Sequence, residues 1–146
     1  MSLKQTKNCE CNNEIIKNKA NEFKVEGDLV STAKNIFTFV QYQIGYEDYS
    51  NSKKSALKLL NEYNENQKYG RPTKANCCDQ AHLLVALFRA AQIPTNYVHG
   101  DAHWWACAYI GKEKYECDPT NKKHGFGNPQ HGNKHKKKTY HEELDH

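Results

Sequence analysis

Two adjacent cysteines, Cys77 and Cys78, stand where an apolar helical pattern begins. A thiol at a helix N-terminus feels the positive end of the helix dipole, which lowers its pKa and favours the nucleophilic thiolate. Asn76 suits an N-cap and Asp79 follows it at capping-box spacing, so Cys77 is predicted as the first helical residue. The helix dipole should lower the pKa of both thiols, so this position alone does not decide which of them reacts.

Helical periodicity distinguishes the two thiols. At 3.6 residues per turn Cys77 falls on an apolar stripe, whereas Cys78 falls on a more polar stripe with His82 and Arg89. We therefore expect Cys77 to face the packed side and Cys78 to lean towards solvent. A buried cysteine is often only a small hydrophobic residue, so a catalytic interpretation also needs a base and a group that orients it.

A histidine and an aspartate that could assist a thiol lie on a predicted β-hairpin, residues 103–120. Its two strand-like runs flank Gly111, and Gly at the first central position suits a two-residue type II′ turn. In the register that this turn sets, His103 and Asp118 lie diagonally on one face of the hairpin. His82 has no comparable partner, and we expect it to be an ordinary surface or semi-buried histidine.

The elements that must position these groups are helices first and strands last. The apolar spacing predicts helices over 12–24, 29–44, 53–66 and 77–91, a strand over 95–100, and then the hairpin. Asp28 is predicted to cap the second helix. This order indicates an α+β fold. We expect a peripheral helical segment at 1–27 whose first ten residues are disordered or peripheral, a core at 28–128, and a basic tail at 129–146 that completes or flanks the core.

Composition narrows the classes of protein. The chain has 146 residues, a net charge of +4 and no apolar run near the length of a membrane span. The two arginines are few for reading nucleic acid, which is not an expected partner. The six cysteines do not resemble a disulfide framework, and neither a metal nor another cofactor is expected. We expect a monomer that is cytoplasmic as synthesised, since no secretory signal is visible, with action on a cell wall after release left open.

The stretches "NCCDQAHLLVALFRAAQIP", "YVHG", "HWWACAY" and "DPT" resemble the transglutaminase-like superfamily of papain-like cysteine enzymes. Within that group these stretches resemble the archaeal pseudomurein endoisopeptidases in particular. The resemblance implies a papain-like fold in which a central helix carries the nucleophile and packs on a small antiparallel sheet. It implies Cys77 as the nucleophile, His103 as the general base and Asp118 as the orienting carboxylate.

The expected activity is that of a cysteine hydrolase acting on peptide or isopeptide bonds, with pseudomurein-type cross-links or another anionic wall polymer as candidate substrates. The oxyanion is expected near the backbone N–H of Cys77, with Gln41, Tyr42 and Trp104 as candidates for a second donor. Two alternatives stay open: transamidation to a lysine amine, as in protein cross-linking, and a non-catalytic binding module on the same fold.

Overall fold

The structure is a computed structural model that describes residues 2–48, 51–129 and 137–145. One buried helix lies at the centre of its fold. Its helices are Glu14–Asn21 (α1), Leu29–Gln43 (α2), Ala56–Lys68 (α3) and Cys77–Ala90 (α4). Its strands are Ile44–Tyr46 (β1), Thr73–Ala75 (β2), Thr95–Gly100 (β3), His103–Ile110 (β4), Glu113–Cys117 (β5) and Thr139–His141 (β6). The order of elements confirms the predicted α+β class.

A polar side chain caps each of the four helices. Asp28 accepts a hydrogen bond from an amide of the first turn of α2 at 2.9 Å, and Asn76 accepts one from the Asp79 amide at 2.9 Å. Asn13 and Ser55 cap α1 and α3 in the same way. Each cap satisfies an amide that the helix leaves without a partner, which contributes about 1 kcal/mol. The predicted caps at Asp28 and Asn76 are confirmed.

The main sheet has four antiparallel strands in the order β5-β4-β3-β6. The predicted hairpin register is confirmed, because Ile110 pairs with Glu113. Of the two central turn residues only Gly111 has a positive φ, 62°, as a type II′ turn requires. A second, parallel pair of short strands, β1 and β2, was not predicted.

Helix α4 is enclosed on every side, since every residue from 79 to 89 is buried. The other three helices and strands β3 and β4 all contact it. The more polar stripe that passes through His82 and Arg89 therefore does not face solvent. His82 is a core histidine with no exposed surface, and its Nδ1 lies 2.7 Å from the hydroxyl oxygen of Tyr97. The expectation of a surface or semi-buried His82 failed because the covering segments are remote in sequence.

The N-terminal residues form part of that cover. The Arg89 guanidinium, which is 1% exposed, donates to the carbonyls of Lys4 at 2.7 Å, Thr95 at 2.8 Å and Glu142 at 2.8 Å. Cys9 has no exposed surface. The prediction that the first ten residues are disordered or peripheral is thus wrong for Ser2, Asn8 and Cys9, which are buried, whereas residues 3–5 and 7 are exposed.

The far end of the chain adds β6 to the edge of the sheet, where it pairs with β3. Leu144 is buried beyond it, and its carbonyl accepts a bond from the Asn8 amide at 3.1 Å. The division of the chain at 27/28 and 128/129 stays a prediction. Within the described residues, no helix combines the length and the apolar composition that crossing a bilayer demands.

Candidate active site

Cys77 is the first residue of α4 and lies beside His103 at the start of β4. A hydrogen bond with the Cys78 thiol lowers the pKa of Cys77 most; burial opposes it, and the His103 side chain and the Trp104 amide lower it further. The result is a pKa of about 4 for Cys77. A thiol with this pKa is a thiolate at neutral pH, which is the nucleophilic form.

Cys78 has the opposite character. Its hydrogen bond with Cys77 raises the pKa of its thiol, and burial raises it further. Cys78 is therefore the protonated member of the pair, with its S–H directed to the Cys77 sulfur. The expectation that Cys78 leans towards solvent while Cys77 packs is wrong, because both side chains are half-buried and Cys78 contacts the core. Protonation, more than exposure, distinguishes the two thiols.

His103 connects the thiolate to a buried carboxylate. Its Nε2 lies 2.8 Å from Asp118 Oδ2, with 19% of the His103 side chain exposed and none of that of Asp118. Burial disfavours the charged imidazole, yet bonds with Asp118 and Cys77 outweigh it and raise the pKa of His103 to about 9. The imidazolium and the thiolate thus form an ion pair across the neutral pH range.

The Asp118 carboxylate is fixed by its own loop. Its Oδ1 accepts the Thr120 amide at 3.1 Å and the Thr120 hydroxyl at 2.7 Å. His124 Nδ1 lies 3.1 Å from the Asp118 carbonyl oxygen and 3.4 Å from Oδ2. These contacts leave Oδ2 directed at His103. The "DPT" motif contains Thr120, but its positioning role was not predicted, and His124 was not singled out at all.

A strained turn immediately precedes His103. Asp101 and Ala102 connect β3 to β4 with φ of 42° and 63°, and Gly100 pairs with His103 across them. Positive φ at both central residues defines a type I′ turn, which normally has Asn or Gly at these positions. Each such residue costs on the order of 1 kcal/mol. The turn directs the start of β4 at the α4 N-terminus, and the sheet pairing around it holds it in place.

The N-terminus of α4 is anchored to the segment before α3. The buried Asp79 carboxylate accepts the Ser52 hydroxyl at 2.6 Å and the Lys54 amide at 2.8 Å. Asn76 donates to the Ser52 carbonyl at 2.9 Å. Asp79 therefore holds a neighbouring loop in addition to donating its amide to the Asn76 cap. This frame fixes the backbone that bears Cys77.

The candidates for oxyanion donors differ in their surroundings. The Gln41 amide donates to the carbonyls of Asn121 at 2.9 Å and His124 at 2.7 Å. Both of its hydrogens are occupied, and the expected role of Gln41 as an oxyanion donor finds no support in this geometry. Tyr42 is 53% exposed, and the Lys122 ammonium lies 5.2 Å from its ring centroid.

Trp104 interacts with the Cys77 sulfur through its backbone amide. Its indole stacks on the His99 ring with the centroids 4.3 Å apart. The backbone amide of Trp104, together with the Cys77 N–H at the start of α4, is thus the candidate that the geometry leaves strongest. The position of Cys77 at a helix start indicated its own N–H as a donor, but no residue type marks a second backbone donor such as the Trp104 amide.

Tyr46 is a site residue that the sequence analysis missed. It ends β1, opposite Ala75 of β2, two residues before Cys77. Burial, its bond to Asp48 at 3.0 Å and the nearby charges of Cys77 and Asp118 raise the pKa of its hydroxyl. The raised pKa keeps this hydroxyl protonated and able to donate at neutral pH. With 40% of the residue exposed, Tyr46 lies at the edge of the site. Only the unpredicted β1–β2 pairing brings it there.

Comparison with solved structures found a protein of similar fold. A solved structure from Cytophaga hutchinsonii, described as a candidate cysteine protease, aligns with a TM-score of 0.65 and 26% sequence identity. The match covers 82% of this chain and 40% of that protein, so this chain spans less than half of its length. No curated protein matches the chain.

The family comparison covers most of the sequence. The family model described as the transglutaminase-like superfamily matches residues 13–119, which include all of α1 to β5. The structural neighbour and the family together support a papain-like α+β fold. The chain belongs to the transglutaminase-like superfamily.

Proposed function

We propose that the protein is a cysteine hydrolase of peptide or isopeptide bonds, with Cys77 as nucleophile, His103 as general base and acid, and Asp118 as the residue that orients His103. One observation carries the proposal: a half-buried thiol with a depressed pKa lies beside a histidine whose Nε2 is 2.8 Å from a fully buried carboxylate. A purely structural cysteine needs neither partner.

Acylation begins with attack of the Cys77 thiolate on the carbonyl carbon of the scissile amide. The negative charge moves to the carbonyl oxygen, where the backbone N–H of Cys77 and the Trp104 amide are the nearest candidate donors. Because Nε2 of His103 is bound to Asp118, the Nδ1–H is the one available to the leaving group. It gives its proton to the departing amine, and a thioester with Cys77 remains.

Deacylation reverses the role of His103. The neutral imidazole takes a proton from water, and the resulting hydroxide attacks the thioester carbonyl. The collapse of this intermediate expels the Cys77 thiolate and releases a carboxylic acid. Asp118, held by Thr120, keeps the ring orientation and favours the imidazolium in both halves of the cycle.

The bond that is cleaved is proposed from the sequence motif. The resemblance of the Cys77, His103 and Asp118 stretches to pseudomurein endoisopeptidases favours isopeptide bonds to a lysine side chain, as in peptide cross-links of a cell wall. Transfer of the same thioester to an amine is the second candidate, favoured by membership of the transglutaminase-like superfamily. Both candidates share the acylation step and differ only in the acceptor.

The test is turnover of two matched substrates, one with an alanine joined to the ε-amine and one with it joined to the α-amine of the same lysine peptide. Mass spectrometry follows release of each fragment, with and without a labelled primary amine. We expect hydrolysis by the wild type and loss of at least about 10⁴-fold in Cys77→Ala. Cys78→Ala is the matched control and should keep turnover within about tenfold.

Three outcomes would change the proposal. Turnover that survives Cys77→Ala and disappears in Cys78→Ala would show that the nucleophile is Cys78 and that the assignment of Cys77 is wrong. Incorporation of the labelled amine in preference to water would favour cross-linking. Failure to form any thioester with either substrate, together with slow alkylation of Cys77, would favour a binding module on this fold.

A further inference from the structure

A basic cleft lies against the Asp118 side of the candidate active site. It is open, has a volume of about 430 Å³, and runs between the second half of α2 and residues 122–126. Its charged or titratable lining residues are Lys34, Lys122, Lys123 and His124. Among the described residues, no carboxylate lines it. The cleft therefore presents positive potential to an incoming ligand.

The walls of this basic cleft are held by the same contacts that hold the site. Gln41 on α2 donates to the carbonyls of Asn121 and His124 and so fastens the loop to the helix. His124 in turn contacts both the carbonyl and the carboxylate of Asp118. The cleft thus has a fixed floor and adjoins the triad directly, unlike a run of lysines on a solvated loop.

A second path leads from the basic cleft towards the nucleophile. Tyr42 lines the cleft, and Tyr46, four residues later, lies within electrostatic range of both Cys77 and Asp118. The end of α2, which lines the cleft, is followed directly by β1, which ends at the edge of the site. This connection is the path by which a peptide with its scissile bond at Cys77 would bring a neighbouring residue to the cleft.

The chemistry of the lining indicates the ligand. Within the part of the chain that the structure describes, none of the three cleft lysines forms an ion pair, and Lys122 lies over the Tyr42 ring at 5.2 Å. Phosphate recognition relies heavily on the arginine fork, and both arginines are elsewhere: Arg71 lies over the Tyr69 ring and Arg89 is buried. Ammonium groups beside aromatic rings suit a carboxylate with an apolar stem.

We infer that the basic cleft is a subsite for an acidic residue of the peptide substrate, so that the enzyme selects peptides with a glutamate or aspartate near the cleaved bond. This inference rests on the proposed function, because it assigns the substrate class of the same site. The lysines bind the side-chain carboxylate, and the aromatic rings contact its methylene groups.

Binding to the Cys77→Ala variant tests the cleft separately from catalysis. The probes are two fluorescein-labelled hexapeptide libraries of equal length, one with glutamate and the other with glutamine at one fixed position. Fluorescence anisotropy should show the glutamate library binding about tenfold more tightly at low salt, with the difference shrinking as salt rises. In Lys122→Gln/Lys123→Gln on the same background, this preference should disappear while binding of the glutamine library is unchanged.

A matched double variant on another helix, Lys58→Gln/Lys68→Gln, removes the same charge and should keep the preference, so net charge alone would not explain the result. Equal binding of the two libraries by Cys77→Ala would overturn the inference. So would tighter binding of inorganic phosphate or of a short oligonucleotide, which would assign the cleft to phosphates.

Hydrolysis of both libraries by the wild type is measured in parallel. Cleavage with no glutamate preference refutes the subsite and leaves the hydrolase intact. A binding preference without cleavage of either library or of the lysine isopeptide substrate refutes the hydrolase and leaves the cleft as a site for acidic peptides.

Discussion

The protein has two pairs of neighbouring thiols, and only one of them is arranged for chemistry. Cys77 and Cys78 are half-buried at the start of α4 beside His103. Cys9 and Cys11 are 0% and 2% exposed and lie near the Arg89 guanidinium, which is 3.7 Å from the Cys9 sulfur. In both pairs one thiol donates to the other and so separates their pKa values.

The comparison shows that a lowered pKa alone does not make a nucleophile. A hydrogen bond from Cys9 and the charge of Arg89 lower the pKa of Cys11 to about 7 despite its burial. Among the described residues no histidine acts on the Cys11 thiol, and its sulfur lies 3.6 Å from the Leu3 carbonyl oxygen in the packed core. Access and a neighbouring histidine, which Cys77 has, distinguish the pair that we propose to be reactive from the buried one.

Asp118→Asn should have the largest effect on the reactive pair. An amide holds His103 in place without stabilising its positive charge, so we expect kcat/KM to fall by about 10²–10⁴-fold with the fold intact. Circular dichroism checks the fold, and turnover of the lysine isopeptide gives the rate. In Thr120→Val, which removes only one hydrogen bond to the carboxylate, kcat/KM should fall far less. Full activity in Asp118→Asn would remove Asp118 from the mechanism.

Alkylation by iodoacetamide at pH 6 compares the two pairs directly. We expect Cys77 to react about 10³-fold faster than Cys9 or Cys11, because those thiols must wait for local unfolding of the N-terminal segment. Mass mapping of the native protein gives each rate, and labelling in denaturant should bring all cysteines to similar rates. Fast native labelling of Cys11 would show that the buried pair is accessible after all.

The pH dependence should report the ion pair of the reactive site. Below a pH of about 4 the Cys77 thiolate gains a proton, and above about 9 the His103 imidazolium loses one, so kcat/KM should be highest between these limits. Cys78→Ala removes the S–H that stabilises the thiolate, and the acid limb should then move to higher pH. Cys78→Ser, which keeps a donor, should move it less. An acid limb unchanged in Cys78→Ala would show that Cys78 contributes no stabilisation.

Substitution in the buried pair should change stability and leave the rate alone. Cys9→Ala leaves a small cavity next to Arg89, which we expect to lower the free energy of unfolding by about 1–2 kcal/mol. Urea unfolding measures this as a lower midpoint at constant slope. The value of kcat for the folded fraction should stay within about twofold. A large loss of kcat at unchanged stability would connect the buried pair to catalysis.

Much of the site could be predicted from local patterns. The Asn76 cap placed Cys77 at the start of its helix, and the Gly111 turn set the register that brings His103 to Asp118. Both features depend on backbone rules that act over a few residues, which a sequence shows directly.

The remaining features depend on contacts between distant segments. Strands β1 and β2 have three residues each, too few for an alternating pattern to reveal them, so their pairing, which brings Tyr46 to the site, has no local sign. Arg89 is covered by segments from the two ends of the chain, and His82 contacts Tyr97 of β3. A helical stripe shows which residues share a face, but not whether another segment will cover that face.

The bonds of Arg89 also have a consequence for the order of folding during synthesis. One of its carbonyl partners belongs to residue 4 and another to residue 142 of a 146-residue chain. A buried guanidinium without its partners is costly, so we expect the end of α4 that bears Arg89 to pack only after residue 142 is available. The end of α4 that bears Cys77 has its partners nearer in sequence, so we expect the two ends of one helix to become ordered at different stages.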